Sequence, residues 1–477
     1  MSEKKGILNS FIHIGTGTLL NMVIGFITTP IITRLVLPEE YGRLSIFNLY
    51  ISIAVMIMCL GLDQSLVRFY YKENTLNYKS WIIKRCSFLP LVLSFVVPAI
   101  VLSLIQLSDK SFEFSDTVIP LLLGIVGHML FRFSILVLRL ENKSKAYARI
   151  NVINKALYAL LAIGLIYITG NRSFSMLAYA TVIAIIVASF VAIFEGRNLW
   201  TIKSQNVDFK VKFGELIKYG LPFILAMGLT TLFEAIDKLS LNMYCDYATV
   251  GIYAGAINIV NIFAIIQSTF NTLWAPVSIK HYEEKPEDKQ FYSRCNLAIT
   301  FIMFFCGFSL IAFKDVFGLL LGKTYREAAY IIPFLTLHPI MYTISETTVT
   351  GVVVKKKSYI HIIIAAISCL TNLIGNSILV PILGGKGAAI STGISYIVFY
   401  LLRTFFGMRY FQFRIMPFKF ILISVVLIVN ATYNTFASFG TISVTMYLGS
   451  IIILVLLYMD VVKDIANMML SFLRSKR

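Results

Sequence analysis

Charge is what this chain has least of. Only 14% of its 477 residues are Asp, Glu, Lys or Arg, against 58% hydrophobic, and the mean hydropathy is +0.80. A soluble protein of this length needs far more charge to cover its surface. Acid is the scarcer sign, 24 residues against 42 basic, which leaves a formal net charge of +18. Short alternating strands are missing, which speaks against a membrane barrel. The six cysteines (Cys59, Cys86, Cys245, Cys295, Cys306 and Cys369) contain no CxxC pair and read as small hydrophobes rather than as a disulfide or metal framework. No P-loop, GxSxG, HExxH or Cys/His pair at ligand spacing occurs, so no catalytic constellation, metal or cofactor is expected.

What is present, from end to end, is a series of apolar runs near twenty residues, the helix length that crosses a bilayer core of about 30 Å. They predict an all-α integral membrane protein of about fourteen transmembrane helices. The first six spans run Leu8–Leu35, Leu44–Leu66, Ser87–Leu107, Val118–Leu138, Val152–Thr169 and Met176–Phe194. After a basic stretch from Glu195 to Lys218 come Tyr219–Tyr244, Val250–Leu273, Leu297–Phe313, Ala328–Val352, Tyr359–Leu383 and Ala388–Met408. Two more, Phe418–Tyr433 and Ile442–Met459, close the chain. Lys4 and Lys5 precede the first run as in a signal peptide. That run is too long for one and no small-residue cleavage site ends it, so it is expected to stay as the first helix.

The loops orient the spans. With Met1 on the cytoplasmic side, the inner segments carry Lys79, Lys84 and Arg85, then Lys143, Lys145 and Arg149, then Lys203, Lys210 and Lys212. Farther on they carry Lys280, Lys285 and Lys289, then Lys355, Lys356 and Lys357, and the tail Arg474, Lys476 and Arg477. Roughly 30 of the 42 basic residues then lie inside and roughly 9 outside. The positive charge is therefore a topology signal with both termini cytoplasmic, not a nucleic-acid face.

The chain reads as a duplication, six helices against six. Ile32-Thr33-Arg34-Leu35 ends the first span and Ile236-Asp237-Lys238-Leu239 ends the seventh. Tyr41-Gly42 and Val250-Gly251 open the spans that follow. Asn142-Lys143-Ser144 matches Lys356-Lys357-Ser358. Parallel repeats of this kind imply a pseudo-twofold axis along the membrane normal and a central site. The expected divisions are 1–200 and 201–412 for the two six-helix bundles and 413–477 for the two extra helices and tail. Aligning Lys143 with Lys357 sets Arg132 against Glu346, opposite charges at equivalent depths.

Ionisable groups in hydrocarbon cost about 2.5–3.5 kcal/mol even on lenient insertion scales, so each one needs a reason. Arg34, Asp63, Lys155 and Lys238 lie close enough to span ends for interfacial snorkelling to compete with function. Arg403, near an inner end, reads as ordinary. Arg132 and Glu346 lie deeper and are expected to line an aqueous cavity, with His128 on the same helix face as Arg132. Glu234 and Lys238 are spaced for a local ion pair. Asn258, Asn261, Asn372 and Asn376 fit helix-to-helix hydrogen bonding.

Several segments resemble the polysaccharide transporter branch of the multidrug/oligosaccharidyl-lipid/polysaccharide exporter superfamily, which includes O-antigen repeat-unit flippases. They are Thr33-Arg34-Leu35-Val36-Leu37-Pro38-Glu39-Glu40-Tyr41-Gly42, Gly61-Leu62-Asp63 with Arg68-Phe69-Tyr70, and Tyr219-Gly220-Leu221-Pro222. Asp237-Lys238, Val250-Gly251-Ile252-Tyr253 and Trp274-Ala275-Pro276 complete the set, which spans essentially the whole chain. The resemblance implies two rocking six-helix bundles and, as cargo, a short glycan on a polyprenyl pyrophosphate such as undecaprenyl pyrophosphate. It implies a bacterial cytoplasmic (inner) membrane and a non-enzymatic, monomeric transporter that supplies a polysaccharide polymerase and chain-length machinery. Cavity cations would hold the pyrophosphate, with Arg34, Arg132, Lys155 and Lys238 as candidates. Coupling to an H⁺ or Na⁺ gradient would use a carboxylate, with Asp63, Glu234, Asp237 and Glu346 as candidates. An ion-coupled multidrug exporter and a lipid II flippase of the same superfamily are the alternatives, and an intramembrane polymerase a more distant one.

Overall fold

The computed structural model describes residues 2–107, 117–202, 211–464 and 467. Among them there are helices, turns and no strands, and the chain divides into two compact units, Met1–Ala235 and Ile236–Arg477. Among the described residues, twelve helical segments are long and apolar enough to cross a membrane, one bent pair adds a thirteenth span, and a shorter apolar helix follows at Thr441–Leu457. These occupy all fourteen segments read from the sequence. The protein is an all-α, multi-pass membrane protein.

Unit 1 holds α1 (Ser2–Leu35), α2 (Pro38–Met58), α3 (Leu62–Phe69), α4 (Leu76–Leu107) and α5 (Val118–Leu140). It continues with α6 (Ser144–Thr169), α7 (Phe174–Glu195), α8 (Arg197–Thr201) and the first part of α9 (Phe213–Tyr244). The apolar environment gives no hydrophobic drive between helices, so close packing through small residues has to hold them. Ala184, Ala188 and Ala192 form a fully buried row on α7. A Cβ on Gly124 of α5 would stand 2.7 Å from Ile51, and one on Gly127 3.0 Å from Ile185. Those glycines let α2 and α7 seat against α5.

The Pro38-Glu39-Glu40-Tyr41-Gly42 motif has a local reason. Pro38 opens α2, where its missing N–H costs nothing. Glu40 reaches across to accept the backbone N–H of Phe174, the first residue of α7, and Arg43 lies 5.2 Å over the Phe174 ring. A carboxylate at a helix N-terminus satisfies an orphan donor and meets the positive end of the helix dipole.

Unit 2 contains α10 (Tyr247–Val260), α11 (Phe263–Glu284), α12 (Lys289–Ala312), α13 (Lys314–Leu320), α14 (Ala328–Leu335) and α15 (Leu337–Thr348). After these come α16 (Thr350–Val354), α17 (Tyr359–Leu383), α18 (Gly385–Tyr410), α19 (Pro417–Phe436) and α20 (Thr441–Leu457). α17 and α18 pack along their length, and α15 lies on α18. Near the C-terminal end of α18, a Cβ on Gly407 would stand 2.0 Å from the Thr348 carbonyl oxygen and one on Gly351 2.2 Å from that of Gly407. Only glycines permit backbones this close.

α4, α6 and α12 begin earlier than the sequence reading has them, so Lys79, Lys84, Arg85, Lys145, Arg149 and Lys289 are helical rather than looped. Three spans are also broken or bent where an unbroken helix was expected. The second is interrupted after Met58, because Leu60 and Gly61 take positive φ (51° and 66°) before α3 begins. The eighth bends by 51° around Asn261 and Ile262 and its second limb runs on to Glu284, so Lys280 is helical rather than looped. The tenth is not one helix but α14, α15 and α16 in succession. The repeat has a backbone counterpart. Asn142 (φ 56°) and Lys356 (φ 55°) are left-handed, and the amides after them, Lys143 and Lys357, bond five residues back to Leu138 and Val352. The same helix-ending turn occurs at matched places in both units.

Candidate functional site

The break in the second span builds the first half of the site. A Cβ on Gly61 would stand 2.1 Å from the Gly220 carbonyl oxygen, so this left-handed glycine also admits the backbone of α9. Two residues on, Asp63 sits in the first turn of α3, where a carboxylate suits the helix dipole, and is 4% exposed. Its Oδ2 accepts Nε and Nη2 of Arg132 at 3.1 and 2.6 Å, and Nε2 of Gln64 at 3.1 Å. Asp63 Oδ1 is buried with no hydrogen-bond partner. Arg132 comes from α5 and its side chain is 30% exposed, so the acid is hidden and the base is presented. His128, one turn earlier, bonds through Nδ1 to the Gly124 carbonyl at 2.8 Å. Met227 Sδ lies 3.9 Å from Arg132 Nη2.

Arg132, singled out by its depth, is ion-paired with Asp63. Asp63, which snorkelling could have explained, is instead the buried counter-ion to Arg132. Among the described residues no contact joins either Arg34, exposed at the end of α1, or Lys155, exposed on α6, to this pair. Lys155 lies along α1, its Cε 3.3 Å from where a Gly25 Cβ would be.

The far end of α3 is pinned to the end of α5. Glu141 Oε1, just past α5, accepts the Tyr70 hydroxyl at 2.7 Å and Lys79 Nζ at 2.9 Å. Burial alone would raise the Glu141 pKa. The hydrogen bonds from Lys79 and Tyr70 and the charges of Lys79 and Lys143 outweigh it and hold the carboxyl below its usual range. A depressed folded pKa contributes stability that is complete above the unfolded value and is lost as pH falls through the folded one. The melting temperatures of wild type and Glu141→Gln in detergent are therefore expected to differ at pH 7 and to converge as pH drops below the ordinary carboxylate range. A constant difference across that range would show that Glu141 does not titrate against this clasp.

In unit 2, Asp237 of α9 is 7% exposed and ringed by four neutral donors. Tyr253 and Thr392 hydroxyls each donate to Oδ2 at 2.5 Å. Nδ2 of Asn376 and of Asn372 donate to Oδ1 at 2.7 and 3.2 Å. No Lys or Arg among the described residues is ion-paired with it. Asn372 and Asn376, which interhelical bonding alone could account for, serve a buried carboxylate. Lys238 is half-buried beside it, and the Glu234 side chain, its expected i, i+4 partner, lies outside the described residues.

Glu346 pairs with Arg403, whose Nη1 lies 2.9 Å from Glu346 Oε1 and 2.9 Å from Ser345 Oγ. Arg403 is 5% exposed and its guanidinium lies over the Tyr342 and Phe399 rings at 5.3 and 5.1 Å. The sequence reading treated this arginine as ordinary because of its place near a span end, but it points inward. A signal was present in Thr392, Tyr396, Phe399 and Arg403, a polar and aromatic stripe at helical spacing. Each unit therefore carries an intramembrane acid–base pair, with the base presented in unit 1 and the acid in unit 2.

Among the described residues no group of three or more His, Cys, Asp or Glu is placed to hold a metal ion, and the six cysteines are free.

A model of the polysaccharide biosynthesis protein family matches residues 7–281. Among solved structures, the lipid II flippase MurJ in an inward closed conformation superposes with a TM-score of 0.68 at 16% identity, covering 96% of this chain and 100% of that one. An inward-facing multidrug resistance MATE family transporter of the MOP superfamily gives 0.61 at 17% identity, covering 82% and 94%. A mutant of the Vibrio cholerae MATE transporter VcmN gives 0.54 at 15%, covering 85% and 97%. No curated protein sequence matches the chain. At such identities these likenesses establish the fold.

Proposed function

The chain belongs to the polysaccharide biosynthesis protein family, and from that premise we propose that it is a flippase for a lipid-linked glycan. On this reading it moves an undecaprenyl pyrophosphate-linked oligosaccharide repeat unit from the cytoplasmic to the outer leaflet by alternating access, in a bacterial inner membrane with both termini cytoplasmic. It acts as a transporter rather than an enzyme and supplies a polymerase on the outer side.

The observation that carries the reading is the Asp63–Arg132 pair. A guanidinium held from behind by a buried carboxylate, inside a membrane helix and with its side chain 30% exposed, presents donors to a ligand. Arg binds phosphate oxygens by paired, planar hydrogen bonds, and a pyrophosphate is the anionic part of such a cargo. Lys155, exposed in mid-helix, and Arg34 add positive charge within the same unit. Asp237 is the coupling carboxylate on this reading, taking H⁺ or Na⁺ within its shell of donors.

The test is translocation in proteoliposomes of undecaprenyl pyrophosphate carrying a fluorescent oligosaccharide, with sugar exposure read by an external modifying enzyme. Wild type is expected to translocate. Arg132→Gln combined with Asp63→Asn, which leaves no unpaired carboxylate buried, is expected to lose about 2–4 kcal/mol of cargo interaction, a rate loss of roughly thirtyfold or more. Gradient-driven efflux of a cationic dye without glycan translocation would reject the flippase in favour of a multidrug exporter. Translocation of lipid II alone would move the cargo to the peptidoglycan precursor.

A further inference from the structure

On α15 every residue is buried except three, and these three, His338, Tyr342 and Glu346, fall at i, i+4 and i+8. That spacing is one face of a helix. A half-buried face that meets lipid would carry apolar side chains. This one carries an imidazole, a phenol and a carboxylate, so it borders a polar space. α18 extends the face with rings. His338 stacks on Tyr396 (centroids 4.0 Å, planes 28° apart) and Tyr342 stacks on Phe399 (5.7 Å, 11°). Arg403 lies behind Glu346 and fixes it through Oε1.

We propose that this face, His338, Tyr342 and Glu346 backed by Tyr396, Phe399 and Arg403, contacts the sugar rings of the cargo and sets which glycan is accepted. The proposal rests on the flippase reading and deepens it. The face has one carboxylate against one guanidinium, hence no surplus charge to hold a pyrophosphate, and Glu346 would repel one. Its chemistry suits neutral, hydroxyl-bearing rings. The C–H faces of sugars lie on aromatic planes, and the free lone pairs of Glu346 accept hydroxyls. Phosphate recognition in unit 1 and sugar recognition in unit 2 are then separable by substitution.

The experiment uses the full-length protein in proteoliposomes. One probe is undecaprenyl pyrophosphate bearing a neutral trisaccharide, and the competitor is undecaprenyl pyrophosphate without sugar. Tyr342→Leu and His338→Leu are made beside Glu346→Gln. The two leucine variants leave the Glu346–Arg403 pair in place, so a folded variant remains if Glu346→Gln does not fold. The half-saturating concentration of the glycan probe is expected to rise about tenfold in each folded variant, the weight of one good contact. Inhibition by the sugar-free lipid should stay within twofold of wild type. Variants that shift both lipids equally, or neither, overturn the assignment. A pH profile displaced with no change in half-saturation would also overturn it and make the stripe a proton path. Failure of wild type to move any lipid-linked glycan rejects the flippase reading itself, before any variant is compared.

Discussion

Arg403→Ala is expected to be among the most destabilising single changes in unit 2, by about 3–5 kcal/mol, because it leaves the Glu346 carboxylate without its cation in a buried setting. The arginine also fills space between two rings, so part of the loss is packing. The sign of the double variant separates the two causes. Glu346→Leu combined with Arg403→Met removes both charges and keeps volume, and replacement of a whole buried pair by apolar groups is often neutral or stabilising. Stability in detergent, followed by denaturant unfolding, should therefore fall for Arg403→Ala and return for the double variant. Transport should not return, since Glu346 is lost from the face proposed to meet the glycan. Wild-type stability in Arg403→Ala would mean that the pair opens readily and that Arg403 is held by its rings alone.

The fourteen spans were legible because bilayer thickness fixes how long an apolar run must be. The breaks were not. Asn261 and Ile262 sit inside a run with nothing in composition to stop it, and only Thr336 separates α14 from α15. At Gly61 the break admits the backbone of Gly220, and a single sequence does not say which backbone will come near.

The site shows the same division. Burial cost singled out Arg132 and Glu346, because a charge deep in an apolar run must be satisfied somewhere, while Asp237 was named through the family resemblance. The partners could not be read. Asp63 and Arg132 are 69 residues apart, and Asn376 reaches Asp237 over 139. Distance from a span end misled the reading of Arg403, since snorkelling assumes an outward side chain. Helical phase is the better guide there, for Arg403 shares a face with Phe399 and Tyr396.

Asp237→Asn is expected to abolish the response of the protein to its coupling ion. Four donors already fill the accepting positions of the two carboxylate oxygens, so a proton or cation can enter only by displacing one of them. The hydroxyls of Thr392 and Tyr253 can turn a lone pair toward a cation, whereas the amide nitrogens cannot. Ion entry would then loosen the link from α9 to α10 and α18 while leaving that to α17, which is how occupancy can bias conformation. A ligand that binds only the folded state adds about 2.7 kcal/mol at a hundred times its dissociation constant. Wild-type melting temperature should therefore rise with Na⁺ at fixed pH, or change with pH at fixed Na⁺, according to which ion is used. The asparagine variant offers one acceptor and two donors to a shell of donors. Its starting stability should fall by about 1–3 kcal/mol, and its melting temperature should be flat against the ion that moves wild type. If the variant still follows that ion as wild type does, the coupling site lies elsewhere and Asp237 is a structural node of unit 2.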